Sequence, residues 1–292
     1  MKLMRLPDWI RTKSLTGLHD TKQMLRTHRL STVCEKARCP NIGSCFSKPT
    51  ATFLILGPTC TRNCGFCSVE SSPPQQPDRD EPRRVAMAAK ELKLNYVVIT
   101  SVTRDDLPEG GASHFAGTVK ALRDHLPDAK VEVLTPDFRG DLSSLKIVLS
   151  SGPDVFNHNI ETVSRLYSTV RPQADYERSL LVLRNARLFS PRIRTKSGIM
   201  VGMGETFDEV VTALKDIRST GCDFITIGQY LRPSKKNLPV TEYVLPEVFD
   251  RYREEALSIG FQGVASFPLA RSSMNAEEMF IKGDRGEGAS IS

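Results

Sequence analysis

From residue 52 onward, short apolar runs alternate with stretches of helical periodicity. This alternation limits the fold more than any other feature of the chain. Strand-like runs lie at 52–56, 96–100, 130–134, 154–157, 193–201 and 224–227, and helix-like stretches at 85–92, 112–126, 142–149, 176–188, 207–219 and 247–258. Thr206 stands where an N-cap is expected, because its hydroxyl can accept from a free amide of the first turn. Repeated strand–helix units imply parallel strands joined by right-handed crossovers. Six units are too few to close an eight-fold barrel. The expected fold class is therefore α/β, a partial six-stranded (β/α)6 TIM-type barrel with N-terminal and C-terminal extensions. In such barrels the reactive groups collect at the C-terminal ends of the strands.

The division expected along the 292 residues is an extension over 1–50, the barrel over 51–265 and a C-terminal segment over 266–292 that ends in a mobile Gly- and Ser-rich tail from 282. Hydrophobic content of 39% is enough to bury a core, and 25% charged residues describe an ordinary soluble surface. The net charge of +6 is a mild bias without a Lys/Arg block, too weak to imply nucleic acid. No apolar run reaches the length of a membrane span, and residues 1–13 lack the apolar core of a signal peptide. A cytoplasmic protein is expected.

The seven cysteines are distributed unevenly: six lie between positions 34 and 67, and Cys222 stands alone. In a reducing compartment such crowding points to metal ligation rather than disulfides. Cys60, Cys64 and Cys67 form a C-x3-C-x2-C triplet directly after the first strand, on the active face of the expected barrel. Three thiolates so close can each hold one iron of a [4Fe–4S] cluster, leaving the fourth iron open. The alternatives are zinc, which normally takes paired spacings and four ligands, and a redox pair, which needs only two cysteines. Upstream, Cys34, Cys39 and Cys45 form a second triplet, C-x4-C-x5-C, again one ligand short. Its alternative is a zinc site completed by a histidine, with His28 the nearest in sequence. Cys222 reads as a buried structural thiol. Gly198, Gly202 and Gly204 after the fifth strand suggest a tight turn or close backbone approach to a ligand.

The triplet at 60–67, with Phe66 before its last cysteine, resembles that of the radical S-adenosylmethionine enzymes. The pair of triplets resembles the lipoyl synthase family. So do the phrases at 98–108 (VITSVTRDDLP), 156–162 (FNHNIET), 195–202 (TKSGIMVG) and 228–234 (GQYLRPS), and the likeness runs over roughly 30–280. The resemblance implies two [4Fe–4S] clusters. S-adenosylmethionine would bind the open iron of the first and be cleaved to a 5′-deoxyadenosyl radical. The second would supply sulfur for C6 and C8 of an octanoyl chain held on a lysine of a lipoyl-carrier protein or domain. It also implies a low-potential electron donor (a ferredoxin or flavodoxin) and an iron–sulfur cluster assembly carrier as partners.

For site residues the resemblance implies Ser273, in Arg271-Ser272-Ser273, as fourth ligand of the second cluster. It implies Thr100, Asn159, Glu161 and Arg171 as contacts of S-adenosylmethionine, against which stands a structural Glu161–Arg171 ion pair. Arg232 and Lys235 are candidates for the carrier surface, or else solvated charges. After the serine pair this chain has Met274 where the family usually has tyrosine. Competing readings are a divergent paralogue, a non-catalytic iron–sulfur protein and a zinc-binding structural protein.

Overall fold

The computed structural model describes residues 6–10, 19–46, 52–284 and 289–291. Seven parallel strands follow one another in sequence order across one sheet: β1 (Thr52–Ile55), β2 (Tyr96–Ser101), β3 (Lys130–Leu134), β4 (Val155–Asn157), β5 (Arg194–Val201), β6 (Phe224–Gln229) and β7 (Gly263–Ser266). Six helices alternate with them: α1 (Glu81–Glu91), α2 (Ala112–His125), α3 (Leu142–Ser150), α4 (Tyr176–Phe189), α5 (Phe207–Ser219) and α6 (Pro246–Ile259). A last helix, α7 (Ala276–Asp284), follows β7. The sheet is α/β and almost wholly parallel. The one antiparallel pair in it is Ser31–Thr32 against β1, with Thr32 opposite Phe53.

The expected six strands and six helices are all present, and the structure adds β7. Its four residues are fully buried but too short for a visible period. The expected tail differs as well: Lys282 lies in α7, and Ala289–Ile291 pairs in parallel with β7.

Caps match the helix starts. Thr206 and Glu209 form a reciprocal capping box on α5. Asp141 accepts from Ser143 N and Ser144 N at the start of α3, and Asp175 from Arg178 N at the start of α4.

Strand alternation sorts the two faces. Val97, Ile99, Val131, Val133 and Phe156 pack in one core, and Ile199, Val201, Ile225 and Ile227 in a second, both against the helices. The opposite face carries Glu132, Asn157 and Lys196, all buried. Glu132 accepts from Tyr96 Oη at 2.7 Å and Asn157 Nδ2 at 2.8 Å, and it pairs with Lys196 Nζ at 3.3 Å, so both buried charges are compensated, while Asn157 Oδ1 is left without a partner among the described residues. Phe280 of α7 packs on the Tyr96 ring with centroids 6.1 Å apart. Above this layer, Thr52 of β1 and Thr226 of β6 border the same cavity. Strands at opposite ends of a six-strand run meet one cavity only if the sheet curls.

Candidate active site

The cavity, about 220 Å3, lies toward the C-terminal ends of the strands. Cys34 and Cys39 of one triplet and Cys67 of the other line it, together with Phe66, Asn159, Glu161, Gly198, Met200, Arg271, Ser272 and Ser273. Residues more than 200 positions apart in sequence thus border one space.

The first triplet sits in the loop after β1. Cys60 Sγ accepts from Arg62 N (3.4 Å) and Thr103 N (3.3 Å), and Cys67 Sγ from Val69 N (3.4 Å). Amide donors of this kind stabilise electron-rich sulfur and tune a cluster's potential. Arg62, inside the triplet, anchors the loop to the next two strand ends. Its guanidinium makes a two-pronged pair with Asp105 at 2.7 and 2.9 Å and reaches Asp137 Oδ1 at 2.7 Å. The Asp137 carboxyl is fully buried, which by itself would raise its pKa, yet the bond and charge of Arg62 hold it down at about 2. Leu238 N and Asn237 Nδ2 grip the loop from the far side, at Gly65 O (2.9 Å) and Cys67 O (2.7 Å).

The second triplet rides on two short helices, Val33–Lys36 and Ile42–Phe46. Asn41 faces the C-terminal segment, where its Nδ2 donates to Leu269 O at 2.7 Å and lies 3.0 Å from Met274 Sδ. Met274, the departure from the family pattern, is therefore a contact of the second triplet's own turn.

No disulfide joins the cysteines among the described residues. Burial, together with the neighbouring thiols, pushes Cys34 and Cys67 up to about 12 and raises Cys64. These groups are neutral thiols near pH 7 and become thiolates only against a compensating positive charge, which a metal centre provides while protons are released. Among the described residues no three His, Cys, Asp or Glu side chains converge on one ion position. His28 Nε2 is engaged by Glu91 at 2.8 Å rather than by a cysteine.

Glu161 adopts φ +70°, a left-handed conformation strained for a glutamate. The turn is fixed by Glu161 N to Gly198 O and Met200 N to Glu161 O, both 2.9 Å. Its carboxylate accepts from Asn159 Nδ2 at 3.0 Å. Burial raises the Glu161 pKa, opposed by Arg171 and Asn159. Arg171 stands behind this turn rather than in the cavity wall, donating to Asn159 O (3.0 Å), Ile160 O (3.2 Å) and Tyr167 Oη (2.8 Å). It supports the loop and makes no direct ion pair with Glu161 among the described residues. Thr100 is likewise absent from the wall. Its hydroxyl donates to Leu134 O at 2.9 Å across the sheet.

Three further groups were not singled out as site residues from sequence. Arg62, Asp105 and Asp137 join only once three strand ends are side by side, although Arg62 lies inside the triplet and Asp105 inside the 98–108 phrase. Cys222 is buried in the second core, as expected. Arg232 is half-exposed and donates to Asn237 O and Lys235 O of its own loop, while Lys235 is exposed.

The curled parallel sheet, with a cysteine triplet on the loop after its first strand, defines the class. Residues 54–217 match the radical SAM superfamily, to which the chain belongs. A solved methylornithine synthase shares the fold at TM-score 0.59 and 14% identity, covering 95% of this chain and 81% of that one. The chain is 56% identical to lipoyl synthase of Caldicellulosiruptor saccharolyticus over 280 residues, 95% of this chain and 98% of the relative. It is 54% identical to lipoyl synthase of Caldanaerobacter subterraneus over 94% of this chain and 96% of that one. Within the superfamily, the chain belongs to the lipoyl synthase family. Among the described residues no helix is long and apolar enough to cross a membrane.

Proposed function

We propose that the protein inserts two sulfur atoms, at C6 and C8, into an octanoyl chain amide-linked to a lysine of a lipoyl-carrier protein or domain. The observation that carries this reading is the cavity bordered by cysteines from both triplets, Cys34 and Cys39 of one and Cys67 of the other, and by Ser273. The sheet is read as a partial (β/α)6-type barrel, with 1–50 and 266–292 as extensions that bring Cys34, Cys39, Cys45 and Ser273 to its mouth.

The donor sets fit two [4Fe–4S] clusters. Each triplet offers three cysteines that no disulfide engages, and amide N–H groups already point at Cys60 and Cys67. Cys60, Cys64 and Cys67 hold the first cluster; Cys34, Cys39 and Cys45 hold the second, with Ser273 as its fourth ligand. When bound, the clusters supply the electron that cleaves S-adenosylmethionine and the sulfur that is inserted.

The protein's own groups bind and orient. Glu161 and Asn159 offer acceptors and an amide to the ribose hydroxyls or the ammonium of S-adenosylmethionine. Arg171 keeps their turn in place. Phe66 and Met200 give apolar wall for an aliphatic chain. A serine oxygen is a harder ligand than the thiolates around it, which favours release of its iron. The expected partners are the octanoylated carrier, a low-potential ferredoxin or flavodoxin and a cluster assembly carrier. The expected compartment is the cytoplasm.

The test is an anaerobic single turnover with an octanoyl-lysyl peptide, S-adenosylmethionine and a strong reductant, on protein carrying about eight irons per chain. Thiolated peptide and 5′-deoxyadenosine are expected together. Ser273→Ala should still yield 5′-deoxyadenosine but little thiolated peptide. Zinc in place of iron, or wild-type sulfur insertion by Ser273→Ala, defeats the reading or its ligand assignment respectively.

A further inference from the structure

The segment that carries Ser273 lies across two glycines of the sheet. A Cβ on Gly228 of β6 would meet Ala270 O at 2.2 Å, and one on Gly198 of β5 would meet Asn159 Oδ1 and Ser272 Oγ, each at 2.9 Å. A larger residue at Gly228 would push the segment's backbone off the sheet, and one at Gly198 would part the Asn159 and Ser272 side chains. Over Gly198, Ser272 Oγ donates to Asn159 Oδ1 at 3.0 Å. The other end of the same carboxamide donates to Glu161 Oε1 at 3.0 Å, which fixes its orientation. Ser272 is thus the near end of a three-residue chain, Ser272–Asn159–Glu161, that runs from the neighbour of Ser273 to the acceptor pair on the opposite wall.

We infer that Ser272 is a positioning residue that couples the two halves of the site: while Asn159 holds it, Ser273 stays seated on the second cluster, and when a ligand engages Asn159 the serine segment loosens. The inference rests on the reading that S-adenosylmethionine contacts Asn159 and Glu161. One carboxamide serves both sides, and the space above Gly198 admits Ser272 Oγ and Asn159 Oδ1 in one arrangement. A ligand that turns the carboxamide toward itself therefore withdraws the acceptor from Ser272. The segment then keeps its tethers at the two ends, to Asn41 through Leu269 O and Met274 Sδ and to β6 through Gln229 N to Pro268 O at 3.0 Å, but none at the serine pair itself among the described residues. Such a link ties opening of the sulfur-donating cluster to occupancy of the radical-generating side, and linkage makes the effect reciprocal.

The experiment follows iron release from anaerobic two-cluster holoenzyme to a ferrous chelator, with and without S-adenosylmethionine. The phase belonging to the second cluster is identified by its absence from a Cys34→Ala/Cys39→Ala/Cys45→Ala variant. In the wild type, S-adenosylmethionine should accelerate that phase at least about fivefold. Ser272→Ala should release iron fast without it and show no further acceleration. Gly198→Ala, which keeps the hydroxyl but wedges the bond apart, should behave in the same way. Ser272→Thr, which retains a hydroxyl, should restore the dependence. A merely structural serine would change iron content without abolishing the response to S-adenosylmethionine. A wild-type rate indifferent to S-adenosylmethionine, or acceleration that survives in Ser272→Ala, overturns the coupling while leaving the proposed function standing. Holoenzyme that holds only about four irons or fails to bind S-adenosylmethionine overturns the functional reading, and the coupling with it.

Discussion

The two cysteine triplets each send residues to one cavity, Cys67 from one and Cys34 and Cys39 from the other, but are held in place by different physics. The loop at 60–67 is fastened by a buried charged cluster, Arg62 with Asp105 and Asp137, and by amide donors on its sulfurs. The turn at 34–45 reaches the C-terminal segment through the neutral contacts of Asn41. Breaking a buried ion pair leaves an uncompensated charge, whereas breaking a neutral hydrogen bond costs less. The first triplet is therefore built to keep its shape through repeated use. The second is built so that its surroundings can let go.

Three substitutions probe that difference. Arg62→Ala should be the most damaging. It strips two carboxylates of their main partner, at a cost of about 3–5 kcal/mol. The thermal midpoint should fall and the iron of the first triplet should be lost, with the second triplet's iron retained. Equal loss from both sites would erase the distinction drawn here.

Asp137→Asn tests the same anchor through pH. The Asp137 carboxyl is held at about 2 in the folded state, below its unfolded value near 4. Its stabilisation, on the order of 2–3 kcal/mol, is present above about pH 4 and disappears as pH falls toward 2. In the wild type the unfolding free energy should drop through this window, and in Asp137→Asn that part of the drop should be missing. An unchanged acid profile would show that Asp137 does not carry the anchor's charge. Asn41→Ala should be mildest, with about 1 kcal/mol lost in denaturant titration and faster loss of iron from the second triplet alone.

Much of this was legible from the residues. Spacing alone separated six cysteines into two triplets and set the seventh apart, because ligands of one cluster must lie close in sequence when they share a loop. The strands at 96–100 and 224–227 are legible as short runs of β-branched and aromatic residues. What stayed hidden depended on assembly. Arg62, Asp105 and Asp137 are ordinary charges until β1, β2 and β3 place their C-terminal ends together. Thr100 stands at a strand end where a ligand contact is plausible, but nothing local tells that its hydroxyl is already taken by Leu134 O. Arg171 lies in the expected neighbourhood, but sequence cannot say whether a guanidinium faces a cavity or props the loop that lines it. The bond between Ser272 and Asn159 spans 113 positions and exists only because Gly198 has no side chain.

The layer of Glu132, Asn157 and Lys196, with Phe280 against Tyr96 at its edge, has one more consequence. It gives the cavity a solid floor. Glu132, Asn157 and Lys196 each lie two residues before a residue of the cavity wall, Leu134, Asn159 and Gly198. The bottom of that space therefore offers a ligand no unpaired charge, because the carboxylate and the ammonium there already neutralise each other.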